Sequence, residues 1–207
     1  MWNHKKVYRV YKLLKLNRKR KGKRRLPARV KQPLATQTTI NQIWSMDFMS
    51  DSVVSGRRFR TFNVMDDCSR EALAIEIDTS LSSKRVIRTL ERIIEERGKP
   101  AVLRSDNGPE FTSKDLDLWC KDNEITLQFI QPGKPMQNGF IERFNRLYRE
   151  AVLDAYLFFD LNEVRKLTNE WIEEYNYNRP HETLGNLTPI EWKEKVLNNP
   201  VSTVLTV

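Results

Sequence analysis

The chain has 207 residues, and its hydrophobic content of 39% suffices for one domain of ordinary size with an appended segment. Two cysteines without a CxxC pair and only two histidines exclude a disulfide scaffold and argue against a zinc site of paired His and Cys. No stretch approaches the roughly 20 apolar residues of a membrane span, so we expect a cytoplasmic, nucleoid-associated protein with reduced thiols.

The net charge of +9 is concentrated at the N-terminal end. Residues 1–46 hold 14 of the 36 Lys and Arg and no Asp or Glu, so the remaining residues carry 22 basic and 27 acidic side chains. This asymmetry predicts a basic arm that contacts nucleic-acid phosphates; the alternative is a solvated segment with no partner. The candidate DNA contacts in the arm are Arg18, Lys19, Arg20, Lys21, Lys23, Arg24 and Arg25.

The elements follow from periodicity and turn residues. Apolar side chains at helical spacing predict a helix within residues 5–16, followed by the basic run NRKRKGKRR (17–25). Prolines and a Gln/Thr-rich stretch indicate a linker over residues 27–42, so the folded body begins near Ile43. Three strands joined by short turns predict an antiparallel meander: IWSMDFM (43–49), RFRTFNVMD (58–66) and EALAIEI (71–77).

After the meander, strands alternate with helices. The predicted elements are a helix over 83–98, a strand over 101–105, a helix over 113–123, a strand over 125–130, a loop over 131–139, a helix from Phe140 to about Ala155 and a helix over 161–178. This order predicts an α/β fold in which a mixed five-stranded sheet carries helices on its faces.

Two aspartates lie at positions of the predicted sheet where a carboxylate needs an explanation. Asp47 interrupts an apolar strand, where a buried carboxylate needs a cation or a donor; the alternative is a half-exposed edge residue. Asp106 lies in SDNGPEF (105–111) at the end of the fourth strand, where ligand sites gather in open α/β sheets. Turn chemistry alone would also account for Asp106.

Glu142 lies early in the helix that begins near Phe140 and falls outside its apolar stripe. Asn145 and Arg149 follow on the same face at steps of three and four. A solvated glutamate, or one favoured by the helix dipole, remains an alternative. Together, however, Asp47, Asp106 and Glu142 offer hard oxygen ligands for Mg²⁺, and two such ions can assist displacement at phosphorus. Thirty-five residues separate Asp106 from Glu142.

Four stretches resemble the integrase-core transposases of bacterial insertion sequences, which belong to the DDE superfamily shared with retroviral integrases. They are WSMDF (44–48), SDNGPEF (105–111), PGKPMQNGFIERFNR (132–146) and YNYNRPHETLGNLTP (175–189). The resemblance covers roughly residues 42–193 and implies an RNase H-like core over residues 43–160, with a C-terminal helical extension and tail over residues 161–207. The family's catalytic acids correspond to Asp47, Asp106 and Glu142, and its basic residue seven positions after the glutamate corresponds to Arg149.

The resemblance implies DNA cleavage and strand transfer that depend on two Mg²⁺ or Mn²⁺ ions. It also implies double-stranded DNA and a second copy of the chain as partners. Asn145, Arg146 and Arg149 are expected to hold DNA phosphates. Residues 4–25 resemble only the last part of the family's helix-turn-helix module, so we expect residues 1–26 to be a basic remnant of that module in an N-terminally truncated chain of the OrfB type. The alternative is that a protein from an upstream reading frame supplies the rest of the module.

Several alternatives remain from the sequence. The chain could be a non-catalytic DNA-binding fragment that interferes with a full-length transposase. A retroviral-type integrase is disfavoured because its zinc module cannot be assembled here, and an RNA-degrading RNase H is disfavoured by the acid spacing and the basic arm. Asp66 and Asp67 could bind metal, but turn chemistry is the preferred interpretation. His181 could be a general base, but a helix-stop role beside Pro180 is preferred.

Overall fold

A computed structural model of the chain describes residues 3–16, 39–131 and 135–198. The chain divides into two compact units, residues 1–33 and 34–207. In the first unit, α1 (His4–Leu13) begins after Asn3, whose Oδ1 accepts the backbone N–H of Lys5 at 3.0 Å. The predicted N-terminal helix is therefore confirmed. The basic run 17–25 and most of the expected linker lie outside the described residues, and the boundaries at residues 26 and 42 stay predictions.

The second unit is built on a five-stranded sheet. Its strands are β1 (Ile43–Ser52), β2 (Arg58–Asp66), β3 (Ala72–Asp78), β4 (Val102–Ser105) and β5 (Thr126–Phe129). They lie in the order β3-β2-β1-β4-β5. The first three strands pair antiparallel, whereas β1, β4 and β5 pair parallel. This arrangement confirms the predicted mixed sheet.

Helices surround this sheet. They are α2 (Ser83–Arg97), α3 (Lys114–Asp122), α4 (Gly139–Tyr148), α5 (Leu161–Glu173) and α6 (Pro189–Asn198). Ser113 caps α3 through its side chain, which accepts the N–H of Leu116, and Gly98 ends α2 with a φ of 84°. Within the described ranges, no helix has the length and apolar content that crossing a bilayer would require.

Two hydrophobic cores cover the two faces of the sheet. Because side chains alternate along a strand, Trp44 and Met46 of β1 belong to one core and Met49 to the other. The Trp44 core contains residues of α2 and α3, and the Met49 core contains residues of α4 and α5. The strand β1 is thus central and covered on both sides, and the same alternation puts the Asp47 side chain on the face of the Met49 core.

The structure departs from the predicted elements at both ends of α4. Within the expected loop 131–139, the segment Pro135–Asn138 forms a 3-10 turn that leads directly into the helix, while residues 132–134 lie outside the described part. At its other end, α4 continues into the π-helical segment Arg149–Leu153. The next helix, α5, packs on the same core as α4, and the domain boundary at residue 160 stays a prediction.

Candidate active site

Asp47 and Asp106 meet on neighbouring parallel strands. The register of β1 and β4 pairs Ser45 with Arg104, and two further residues along each chain lead to Asp47 and Asp106. Asp106 directly follows the last residue of β4. Because both strands run in the same direction, the two carboxylates lie side by side at the point where β4 ends.

Asp106 is also a turn residue. Its Oδ1 accepts the backbone N–H of Gly108 at 3.0 Å, as short Asp side chains do in Asx turns. A Cβ at position 108 would lie 3.0 Å from that same oxygen, so glycine leaves the room that the turn requires. The other carboxylate oxygen, Oδ2, accepts no hydrogen bond from any described residue. The turn therefore fixes Asp106 while leaving one oxygen available.

A chain of amides orients Asp47. Its Oδ1 accepts the N–H of Phe48 at 2.8 Å, and its Oδ2 accepts Nδ2 of Asn145 at 2.7 Å. The Oδ1 of Asn145 in turn accepts Nδ2 of Asn63 at 2.7 Å, and Asn63 stands opposite Asp47 in the β1–β2 register. The carboxylate is thus held from its own strand, from α4 and from β2.

The surroundings of Asn145 favour another role than the expected one. The sequence predicts it as a phosphate contact, but the residue is only 7% exposed. Both the nitrogen and the oxygen of its amide are engaged inside the protein. Its surroundings therefore suit a residue that positions Asp47 and leave little of it accessible to DNA.

Glu142 lies in the first turn of α4, one turn before Asn145 and on the same face of the helix. It is exposed and forms no hydrogen bond or ion pair with another described residue. Its charge nevertheless acts on Asp47. Burial is the largest cause that raises the pKa of Asp47 to about 6, and the charges of Asp106 and Glu142 add to it.

The donor chemistry of these three side chains suits a divalent cation. Carboxylate oxygens are the ligands that Mg²⁺ prefers, and within the described ranges no Lys or Arg pairs with Asp47 to offset its charge. However, no three His, Cys, Asp or Glu side chains in those ranges lie close enough to hold one ion together. The acids are near enough to repel one another without forming a closed ligand set.

The predicted basic contacts differ in their surroundings. Arg149 is engaged at the end of β1, where Nη1 lies 3.2 Å from Oδ2 of Asp51 and Nη2 donates to the carbonyl of Ser50 at 3.1 Å. Arg146 is exposed and has no ion pair with a described acidic residue. Of the two, Arg146 is the one whose guanidinium has no hydrogen bond or ion pair with a described residue. The arginines and lysines between residues 18 and 25 lie outside the described residues.

Asp66 and Asp67 serve the structure of the turn after β2. Oδ1 of Asp66 accepts the N–H groups of Cys68 and Ser69, each at 2.8 Å, which confirms the turn interpretation. Asp67 is fully buried and pairs with Arg104 of β4, with 2.7 Å between its Oδ2 and Nη1. Sequence reasoning missed this ion pair; an arginine inside the apolar run AVLRS was the available signal.

Comparison of the sequence with known proteins identifies a family that this chain matches. Two models, each of the integrase core domain, match residues 37–135 and 123–189. The uncharacterized 31.7 kDa protein of insertion element IS407 from Burkholderia multivorans is 40% identical over 193 residues, 93% of this chain and 70% of the relative. The uncharacterized 39.2 kDa protein of IS476 from Xanthomonas euvesicatoria is 38% identical over 192 residues, 92% of this chain and 55% of that relative.

A solved structure shows the fold. The catalytic core domain of HTLV-2 integrase, in complex with magnesium and in a trimeric form, matches with a TM-score of 0.59 at 18% identity. The match covers 73% of this chain and 95% of that domain, which confirms the RNase H-like architecture. The IS407 relative is similar over most of both chains, so the family is established as well. This chain belongs to the integrase core family and is a transposase of the integrase superfamily.

Proposed function

We propose that the chain catalyses metal-dependent DNA cleavage and strand transfer, and that Asp47, Asp106 and Glu142 are its catalytic acids. The observation that carries this proposal is that Asp47 and Asp106 lie side by side on neighbouring parallel strands, with Glu142 close enough to raise the pKa of Asp47. The insertion-element relatives and the magnesium complex of the HTLV-2 integrase core support it.

Asp47 and Asp106 would hold Mg²⁺ or Mn²⁺, with Glu142 completing the ligands of a second ion. When bound, such ions stabilise charge on the attacking and departing oxygens of an in-line displacement at phosphorus. The Asn63–Asn145 chain keeps the Asp47 carboxylate in one orientation, and the Gly108 turn does the same for Asp106. Such fixed geometry lowers the barrier because the ligands need no rearrangement during the reaction.

The proposed reaction has two displacements. Water first attacks a phosphodiester at the element end, so that one P–O bond forms and another breaks to release a 3′-OH. That 3′-OH then attacks a phosphate of the target DNA, so that a new P–O bond joins the two DNAs while the bond to the target's own 3′-oxygen breaks and leaves a target 3′-OH. Arg146, exposed on the turn of α4 after Glu142, would hold a backbone phosphate near these acids; such contacts position DNA without reading its sequence.

We further propose double-stranded DNA of the bacterial nucleoid as the substrate, and at least a second copy of the chain as a partner. The charge of residues 1–46 supports DNA as the polyanion. A second copy is supported by the trimeric form of the HTLV-2 core. An upstream-frame protein that supplies further DNA recognition also stays a proposal.

Replacement of Asp106 by Asn tests the assignment. The change keeps the shape of the side chain and an oxygen for the Gly108 turn but removes the charge, so cleavage should be abolished while duplex binding stays within about twofold of the parent. Asp122→Asn is the matched control, because Asp122 is exposed and pairs with no described residue. Equal cleavage rates for the Asp106 variant and the parent would defeat the assignment.

A further inference from the structure

A cavity of about 270 Å³ lies on the side of α4 away from Glu142. Phe140, Arg143 and Leu147 of α4 line it at steps of three and four, which places them on a different face from Glu142 and Asn145. The opposite wall comes from the turn after β2 and from residues 179–186. The cavity is therefore separate from the carboxylate site, although both share one helix.

Three arginines converge on this cavity. Arg70 is only 7% exposed, and its guanidinium lies 3.3 Å from the ring centroid of Phe140 while one N–H group donates to the carbonyl of Asp67. Arg143 and Arg179 are exposed and form no ion pair with any described acidic residue. A guanidinium has five N–H donors, so most of the donors here are unused. Among the described residues that line the cavity, Glu182 alone carries a carboxylate.

His181 adds a buried ring nitrogen that no described residue contacts by a hydrogen bond. Its backbone N–H donates to the carbonyl of Leu187 at 2.9 Å, and its ring packs edge-on against Tyr175 with 5.0 Å between centroids. The ring nitrogen Nε2 is buried and has no hydrogen-bond partner among the residues that the structure describes. An unpaired buried polar atom is costly, so a ligand that forms a hydrogen bond with this nitrogen would remove that cost.

The electrostatics agree with this geometry. Burial, and then the charges of Arg179, Arg143 and Arg70, lower the pKa of His181 to about 4. The ring is therefore neutral near pH 7, yet it lies in the field of three guanidinium groups. A negatively charged ligand would reduce the mutual repulsion of these arginines and gain charge-assisted hydrogen bonds from them.

We infer that this cavity binds a phosphate group of a DNA backbone, with Arg70, Arg143, Arg179 and His181 as its donors. Planar guanidinium groups match phosphate oxygens in pairs. The volume falls slightly below the range of about 300–1,000 Å³ for small-molecule pockets, which leaves room for the phosphate and part of its sugar. The choice of DNA as the source of the phosphate rests on the proposed function. That the site binds a phosphate at all rests on its own donors and not on the proposed function.

Because the cavity and Glu142 occupy different faces of α4, the bound phosphate would not be the one that is cleaved. The site would instead hold a second stretch of DNA while the reacting strand lies at the carboxylates. This role would explain why Arg143 and Arg179 remain unpaired at the rim, whereas Arg149 on the other side of α4 is engaged with Asp51.

The test follows the ring signals of His181 by NMR, in the absence of divalent metal. The chain has only two histidines, so a His4→Gln variant assigns the His181 signals directly. Inorganic phosphate and a short duplex are titrated separately into the parent and into the Arg143→Gln, Arg179→Gln double variant. The matched control is Arg88→Gln, because Arg88 is exposed on α2 and pairs with no described residue.

Both titrations should shift the His181 signals of the parent to saturation, and the duplex should act at lower concentration than phosphate. The double variant should bind about tenfold more weakly or worse, with the control unchanged. No shift with either probe, or equal shifts in parent and double variant, would overturn the site. A shift with phosphate but none with the duplex would overturn DNA as its source. Since neither titration requires cleavage, an inactive carboxylate site would leave the result intact.

Discussion

Asp47 should make the metal-free protein less stable at neutral pH. Its pKa of about 6, against the usual 3.8, arises mainly from burial and secondly from the neighbouring acids Asp106 and Glu142. Because the pKa is raised in the folded state, the stability that Asp47 contributes is present below about pH 3.8 and is lost as the pH rises through about 6. That difference corresponds to about 3 kcal/mol at most.

Replacement of Asp47 by Asn should therefore raise the free energy of unfolding by about 1–3 kcal/mol above pH 6 and change it little near pH 4. The new amide can be accommodated if the chain of amides reverses its direction. Oδ1 of Asn63 is buried and accepts no hydrogen bond from a described residue, so it can accept from Asn145, whose own oxygen then accepts from the new Asn side chain. The gain would come at the expense of the proposed catalytic carboxylate.

Urea unfolding of parent and Asp47→Asn variant, at about pH 7.5 and about pH 4 without divalent metal, measures this effect. Asp122→Asn again serves as the control for loss of one exposed charge. Added Mg²⁺ should then stabilise the parent more than the variant, because it binds only where the carboxylate remains. A variant that is no more stable than the parent at about pH 7.5, or equally stabilised at both pH values, would refute the reasoning.

Two further outcomes concern stability. Asp67→Asn should lower the free energy of unfolding by about 3–5 kcal/mol, because it leaves the buried Arg104 without its charged partner. Asp117→Asn, which breaks the exposed pair with Lys121, should lower it by less than about 0.5 kcal/mol. Similar losses for the two variants in urea unfolding would contradict this. His181 has a pKa lowered from 6.5 to about 4, so the parent should lose stability as the pH falls through that interval, and His181→Gln should flatten the curve. Parallel curves would show that His181 does not titrate as described.

Local patterns sufficed for the strands, the helices and the mixed sheet, whereas the meeting of the acids depends on the order of the strands. Alternation and turn residues predict the five strands because each strand carries its own apolar signal, and the parallel pairing of β1 with β4 then places Asp47 beside Asp106. Gly108 and Asp106 form the predicted turn because that hydrogen bond is local. The strands and this turn depend on residues close in sequence, whereas the pairing of β1 with β4 is a tertiary contact that the sequence patterns do not specify.

Other features depend on contacts that spacing does not encode. A helical face groups Asn145 with Glu142, but it does not reveal that Asn145 is buried against Asn63 of β2. The engagement of Arg149 depends on Asp51 at the far end of β1. The donors Arg70 and His181 are far apart in sequence and meet only after α4 packs on the sheet. Tertiary packing therefore decides which polar residues of a motif face solvent.

The measurement that tests the central claim most directly is metal-dependent nicking and joining of a labelled duplex that carries the ends of the adjacent element. The parent and Glu142→Gln are compared with Mg²⁺ or Mn²⁺, alongside duplex binding by each protein. We expect the parent to nick and join the duplex, and the variant to bind it without cleavage. Cleavage by both proteins at the same rate would contradict the role of Glu142, and binding without cleavage by both would instead identify a DNA-binding fragment.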